Sequence, residues 1–158
     1  MDRPSHLDKS GRVRMVDVGP KPESDRRAVA TVRVLMSNEL LKILEDNTLA
    51  KGDAIAAARI AGIQAAKRTG TMIPLCHPLP LTYVGIDCEF EHEPPSIRIS
   101  AETRTCYRTG VEMEALTAAA VAALTIYDMG KSVDRAIIID QLRLESKSGG
   151  TSGDWRRE

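Results

Sequence analysis

Two lysines, a histidine and three carboxylates occupy positions where the neighbouring residues suggest chemical work. Asp128 and Lys131 close the segment RTGVEMEALTAAAVAALTIYDMGK, which covers residues 108–131. Three residues apart on a helix, they form either an ordinary salt bridge or a proton-transfer pair, in which a partly desolvated lysine is tuned by its carboxylate. Glu112 and Glu114 head the same segment. Glu112 completes a Thr109-x-x-Glu112 pattern and is expected to close a capping box. Glu114 has no such duty, and a carboxylate heading a buried helix needs a partner. His77 lies in MIPLCHPLP, three prolines in nine residues, so its backbone is fixed. It is either a solvated loop histidine or a side chain aimed for catalysis. Lys51 precedes a helix start, where a second positive charge is disfavoured unless an anion binds there. With Arg26, Lys67, Arg68 and Lys131 it could form a phosphate pocket, although each alone reads equally well as a surface cation. A metal site on Cys76 and His77 is disfavoured, because adjacent residues seldom ligate one ion together and no second Cys/His pair has suitable spacing.

The elements that must position these groups follow from periodicity. Leu116 to Tyr127 is nearly all Ala, Val, Leu, Ile or Thr, so this helix has little polar surface and must be covered on most sides. At about 13 apolar residues it is too short to cross a bilayer, which takes about 20. Ala28 to Met36 alternates as a strand, and the arm before it is expected to hold at most a short strand, at Met15 to Val18. Ser37 is placed to cap a short amphipathic helix ending near Asn47, and Asp53 to cap AIAAARIAGIQAAKR, with Gly70 expected as its C-cap. The Ala61-Gly62 pair in that helix predicts close packing against another helix. Tyr83 to Glu91 and Ile97 to Arg104 read as a hairpin, and Ala136 to Leu144 as a last strand. The resulting order is strand, helix, helix, strand, strand, helix, strand. It predicts an α+β, ferredoxin-like sandwich in which helices pack on one face of an antiparallel sheet. Residues 1–27 are expected to be a flexible arm, 28–145 a single domain, and 146–158 a flexible Gly/Ser-rich tail.

Composition narrows the class. The 158 residues carry 22 Lys and Arg against 22 Asp and Glu, so no bulk field favours nucleic acid or a membrane surface. Aromatic residues make up only 3%, too few for a base-stacking platform. Three cysteines without CxxC spacing and a polar start point to a reducing cytoplasm. Geometry adds one constraint. About 14 residues of helix separate Glu114 from Asp128, hence about 21 Å along the axis, so both cannot touch one reacting atom. Either the substrate is long, as a nucleoside triphosphate is, or the pocket joins helix ends from two subunits. From the residues alone, the readings are an oligomeric α+β enzyme acting on a small phosphorylated molecule, or a non-catalytic nucleotide-binding or assembly module of the same fold.

The blocks KGDAIAAARIAGIQAAKRT, IPLCHPL, TGVEMEALTAAAVAALTIYDM and KSGG...SGD, with MVDV near the start, resemble the cyclic pyranopterin monophosphate synthase family of molybdenum cofactor biosynthesis. The resemblance implies a homohexamer, a trimer of dimers, with the active site at a subunit interface. It also implies a substrate, 3',8-cyclo-7,8-dihydro-GTP, that is rebuilt as a pyranopterin with loss of pyrophosphate; this chemistry requires no redox cofactor, and no residue is assigned to a metal. On this basis Asp128, Lys131, Lys51 and His77 are the expected catalytic groups. Leu75, Cys76, His77, Glu112, Met113, Glu114, Arg26 and Lys67 are expected to hold substrate. Two positions depart from the family pattern: Tyr107, where a small residue is common, and Gly130, which is expected to end the helix early and re-aim Lys131 relative to Asp128.

Overall fold

Ala28, Ala30, Val32 and Val34 alternate along the first strand and are at most 1% exposed, so one of its faces is committed to the core. The computed structural model describes residues 6–8 and 10–158; the other residues of the expected arm, 1–5 and 9, lie outside the described residues. In chain order the elements are β1 (Ser24–Leu35), α1 (Asn38–Glu45), α2 (Ala54–Met72), β2 (Tyr83–His92), β3 (Pro95–Tyr107), α3 (Glu112–Gly130), β4 (Ile138–Ser148) and β5 (Trp155–Arg156). The strands join as one sheet, β2-β3-β1-β4-β5, and every neighbouring pair is antiparallel. Without β5 this is the split βαβ order expected for a ferredoxin-like sandwich.

The helices lie on the face that Ala28, Ala30, Val32 and Val34 present. Ala115, Ala118, Ala119, Ala122, Ala123 and Ile126 of α3 are all fully buried, and their small side chains bring the helix close to the sheet and to α2. The opposite sheet face carries ion pairs instead, among them Arg27 with Glu102, Arg33 with Glu91 and Arg143 with Glu145. Gly62 lies where α2 packs tightly against α3. A Cβ there would stand 3.0 Å from the Ala118 carbonyl oxygen and 3.0 Å from Ile86 Cδ1. Backbone cannot yield as a side chain can, so Gly62→Val is expected to destabilise the fold by about 2 kcal/mol, read from the urea midpoint. An unchanged midpoint would show that the α2–α3 contact is looser than described.

Both expected helix caps form: Ser37 accepts from the Leu40 amide and Asp53 from the Ala56 amide. Other boundaries differ. β1 begins at Ser24, not Ala28, because Ser24 to Arg27 continue the ladder opposite Tyr107 to Arg104, and so Arg26 belongs to the sheet. The Thr109-x-x-Glu112 box does not close. α3 starts at Glu112 behind Val111, which offers no side-chain cap, while Glu112 turns to Lys147, 3.0 Å away. Gly70 is not a cap either; α2 continues to Met72. Met15 to Val18 forms no strand, and the only bridge described in the arm joins Leu7 to Val13. β4 runs on to Ser148, and the chain then turns back so that β5 pairs with it, where only an unstructured tail was expected. No helix among the described residues is long and apolar enough to cross a membrane.

Candidate active site

α2 and α3 run antiparallel, which brings the loop before α2 to the C-terminal end of α3 and the loop after α2 to its N-terminal end. The candidate residues divide between these two places.

At the C-terminal end, Lys51 Nζ donates to the Asp128 backbone carbonyl at 2.8 Å and lies 4.0 Å from its carboxylate. Lys131 Nζ donates to Asp128 Oδ1 at 2.6 Å. The hydrogen bond from Lys131, with the charges of Lys131 and Lys51, holds the Asp128 carboxyl below its usual range. The same bond pushes Lys131 up. In the single chain the pair is exposed, so it has the geometry of the helix salt bridge, and the carboxylate contact rather than desolvation sets the lysine. Gly130 does not re-aim the pair. α3 ends on it, and the Lys131 amide still reaches the Tyr127 carbonyl at 2.9 Å, so Asp128 and Lys131 keep helical spacing. The small residue makes room for Leu40, whose Cδ2 would lie 2.8 Å from a Cβ at this position. Tyr107, the other departure, is the last residue of β3, opposite Ser24.

At the N-terminal end, a cleft of about 300 Å³ is lined by Leu75, Cys76, His77, Glu112, Met113 and Glu114, with Val16, Val18 and Lys21 of the arm. The proline-rich loop is seated on α2 through Gly70, where a Cβ would stand 3.0 Å from the His77 carbonyl oxygen and from Pro78 Cα. That close approach is the role of this glycine. Glu114 is only 3% exposed; burial raises its carboxyl to about 7, and the charge of Glu112 pushes it the same way. Partial burial and the charge of Glu114 push the Cys76 thiol up, so it is a neutral wall of the cleft and not a thiolate.

A second depression adjoins the first and is lined by Lys21, Arg26, Arg108, Glu112, Lys147 and Gly149, among others. Arg26 Nη1 donates to the Gly149 carbonyl at 3.2 Å, while its buried Nε has no partner. Lys67 is exposed on α2, one turn before Gly70 at this same end. Sequence reasoning did not single out Lys147, Lys21 or Arg108. For Lys147 a signal existed, a cation directly ahead of a Ser-Gly-Gly turn. Arg108 and Lys21 carry no local signal at all.

An α+β sandwich that gathers an acid and two lysines at one end of a buried helix, and a histidine, carboxylates and cations at the other, has the makings of an enzyme acting on a small anionic molecule. Residues 15–150 match the MoaC family, and the chain belongs to it. It is 56% identical over 154 residues to the cyclic pyranopterin monophosphate synthase of Thermomicrobium roseum, covering 98% of this chain and 93% of that protein. The synthase of Bordetella avium is 53% identical (98% and 95% covered), and that of a Nocardioides strain 52% (98% and 96%).

Proposed function

We propose that the chain is a phosphorus-oxygen lyase that converts 3',8-cyclo-7,8-dihydro-GTP into cyclic pyranopterin monophosphate with release of pyrophosphate, a step of molybdenum cofactor biosynthesis. The observation that carries the reading is the division of the acid–base groups between two ends of α3, about 21 Å apart. Each end alone is half a site. A trimer of dimers would set the Asp128 end of one protomer against the His77 end of another, and burial there would desolvate Lys51 and Lys131. The three cysteines are free, as a reducing cytoplasm would keep them.

In this arrangement Leu75, Cys76, His77 and Met113 enclose the purine-derived ring system. Glu114, which holds its proton to about pH 7, donates to a ring carbonyl and accepts from the neighbouring ring N–H. Asp128, held ionised, and Lys131, held protonated, are a base and an acid a few ångströms apart, so opening and reclosing the ring needs no long proton path. Arg26 and Lys67, with Lys51 from the opposing protomer, stabilise the charge that develops as the phosphate ring closes and pyrophosphate departs. Glu112, paired with Lys147, keeps that lysine directed toward the same depression. Incubation with the cyclised GTP and measurement of pyrophosphate tests the proposal. Stoichiometric release with pterin fluorescence supports it, and tight binding without release would instead mark a nucleotide-binding module.

A further inference from the structure

The arm before β1 touches the candidate site at one atom that matters. His77 Nε2 lies 2.8 Å from the Val16 carbonyl oxygen. A carbonyl can only accept, so Nε2 must carry the proton, and in the neutral ring the lone pair then sits on Nδ1. The remaining contacts hold the arm in place. Asp17 Oδ1 accepts from the Gly19 amide at 2.9 Å, and the Lys21 amide closes a turn on the Val18 carbonyl at 3.0 Å. Arg108, just beyond β3, ties that turn to the body of the protein: Nη1 donates to the Gly19 carbonyl at 3.0 Å, and Nε lies 3.6 Å from Glu23. Val16 and Val18 also line the cleft beside His77, so the arm is a wall of the site as well as an anchor for the ring.

The geometry points to the arm as a positioning element for catalysis: the Val16 carbonyl holds His77 as the Nε2–H tautomer with Nδ1 free as the proton acceptor, and Arg108 is the clasp that keeps that carbonyl in place. This rests on the reading that His77 works in the active site. Glu112 and Glu114 line the same cleft from α3, so the ring held by the arm's carbonyl shares its cleft with two carboxylates. A ring held by one nitrogen presents the other in a fixed direction, and proton transfer depends on that direction. A solvated loop histidine would have neither the tie nor the wall.

The test uses the full chain with ¹⁵N-labelled histidine, the His77 signals being assigned by their loss in His77→Gln. The expected spectrum shows the His77 ring proton on Nε2, exchanging slowly with water. Arg108→Gln and Asp17→Ala, both remote from the core, should lose that protection and lower kcat by about 10-fold, the effect of losing roughly one orienting hydrogen bond. KM should move less than kcat, and Arg108→Lys, which still reaches the Gly19 carbonyl, should keep most of both. A ring proton on Nδ1, or an unprotected Nε2 proton in the intact chain, overturns the contact. Lost protection with unchanged kcat overturns the positioning role. Full turnover in His77→Gln would instead remove the active-site reading, and the ring-proton measurement distinguishes that failure from the other two.

Discussion

Asp128→Asn and His77→Gln should each lower turnover by at least ~100-fold, as expected for losing a general acid or base, and yet regain activity when the two inactive proteins are unfolded together and refolded as a mixture. Asn keeps the shape of Asp128 and its place on α3 but cannot accept the proton or hold Lys131 and Lys51 by charge. Gln at 77 keeps a donor for the Val16 carbonyl but offers no basic nitrogen. If two protomers build each site across a two-fold axis, every pair contains two sites. In a mixed pair one site takes both defects and the other takes neither. Random pairing makes about half the pairs mixed, so about a quarter of all sites should be intact. A mixture that stays at the level of the single variants would mean that each protomer carries a whole site, and the proposed interface would be wrong. Lys51→Ala should behave as Asp128→Asn does, complementing His77→Gln and failing to complement Asp128→Asn, because Lys51 and Asp128 share one end of α3.

The second large effect is on stability. Folded Glu114 keeps its proton to about pH 7, while the ordinary value for the group in an unfolded chain is 4.5. Between those values the native state binds more protons than the unfolded state, so stability falls as pH rises, and the loss is complete above pH 7. Every tenfold difference in proton affinity between the two states is worth about 1.4 kcal/mol, and some water reaches the carboxyl from the cleft, so the total cost is about 2–3 kcal/mol. Glu114→Gln keeps the shape without the charge. It should therefore match the parent chain below pH 4.5 and exceed it by about 2–3 kcal/mol at pH 8, as read from denaturant midpoints at both pH values. Equal midpoints at pH 8 would mean that a cation of the assembled protein already neutralises this carboxylate. Substrate binding should change little in the same variant near neutral pH, since Gln, like the protonated carboxyl, donates to a carbonyl and accepts from the adjoining N–H.

Much of the architecture is legible in the residues alone. Alternation along Ala28 to Met36 is a local pattern that reports the face its segment buries, and the unbroken apolar run from Leu116 to Tyr127 marks a buried helix without saying which face meets the sheet. Ser37 and Asp53 act on amides three residues away, so their caps are legible too. Thr109 and Glu112 carry an equally good local pattern that a distant partner overrides: Lys147 draws the carboxylate away from the helix start. Gly70 misleads for a related reason. A glycine near the end of a helical pattern suggests a cap, and nothing local shows that a proline loop must lie against it.

By itself the sequence determined the α+β class, the order of the elements from β1 to β4, the two side-chain caps and the blocks that mark the family, because all of these depend on residues a few positions apart. Only the tertiary structure decided which candidates stand together. Lys51 meets Asp128 across 77 residues and His77 meets Val16 across 61, and chain separations of that size leave no periodic trace. Antiparallel packing of α2 on α3 does the sorting: it carries the two loops that flank α2 to opposite ends of one buried helix, and so divides the candidate residues into two partial sites.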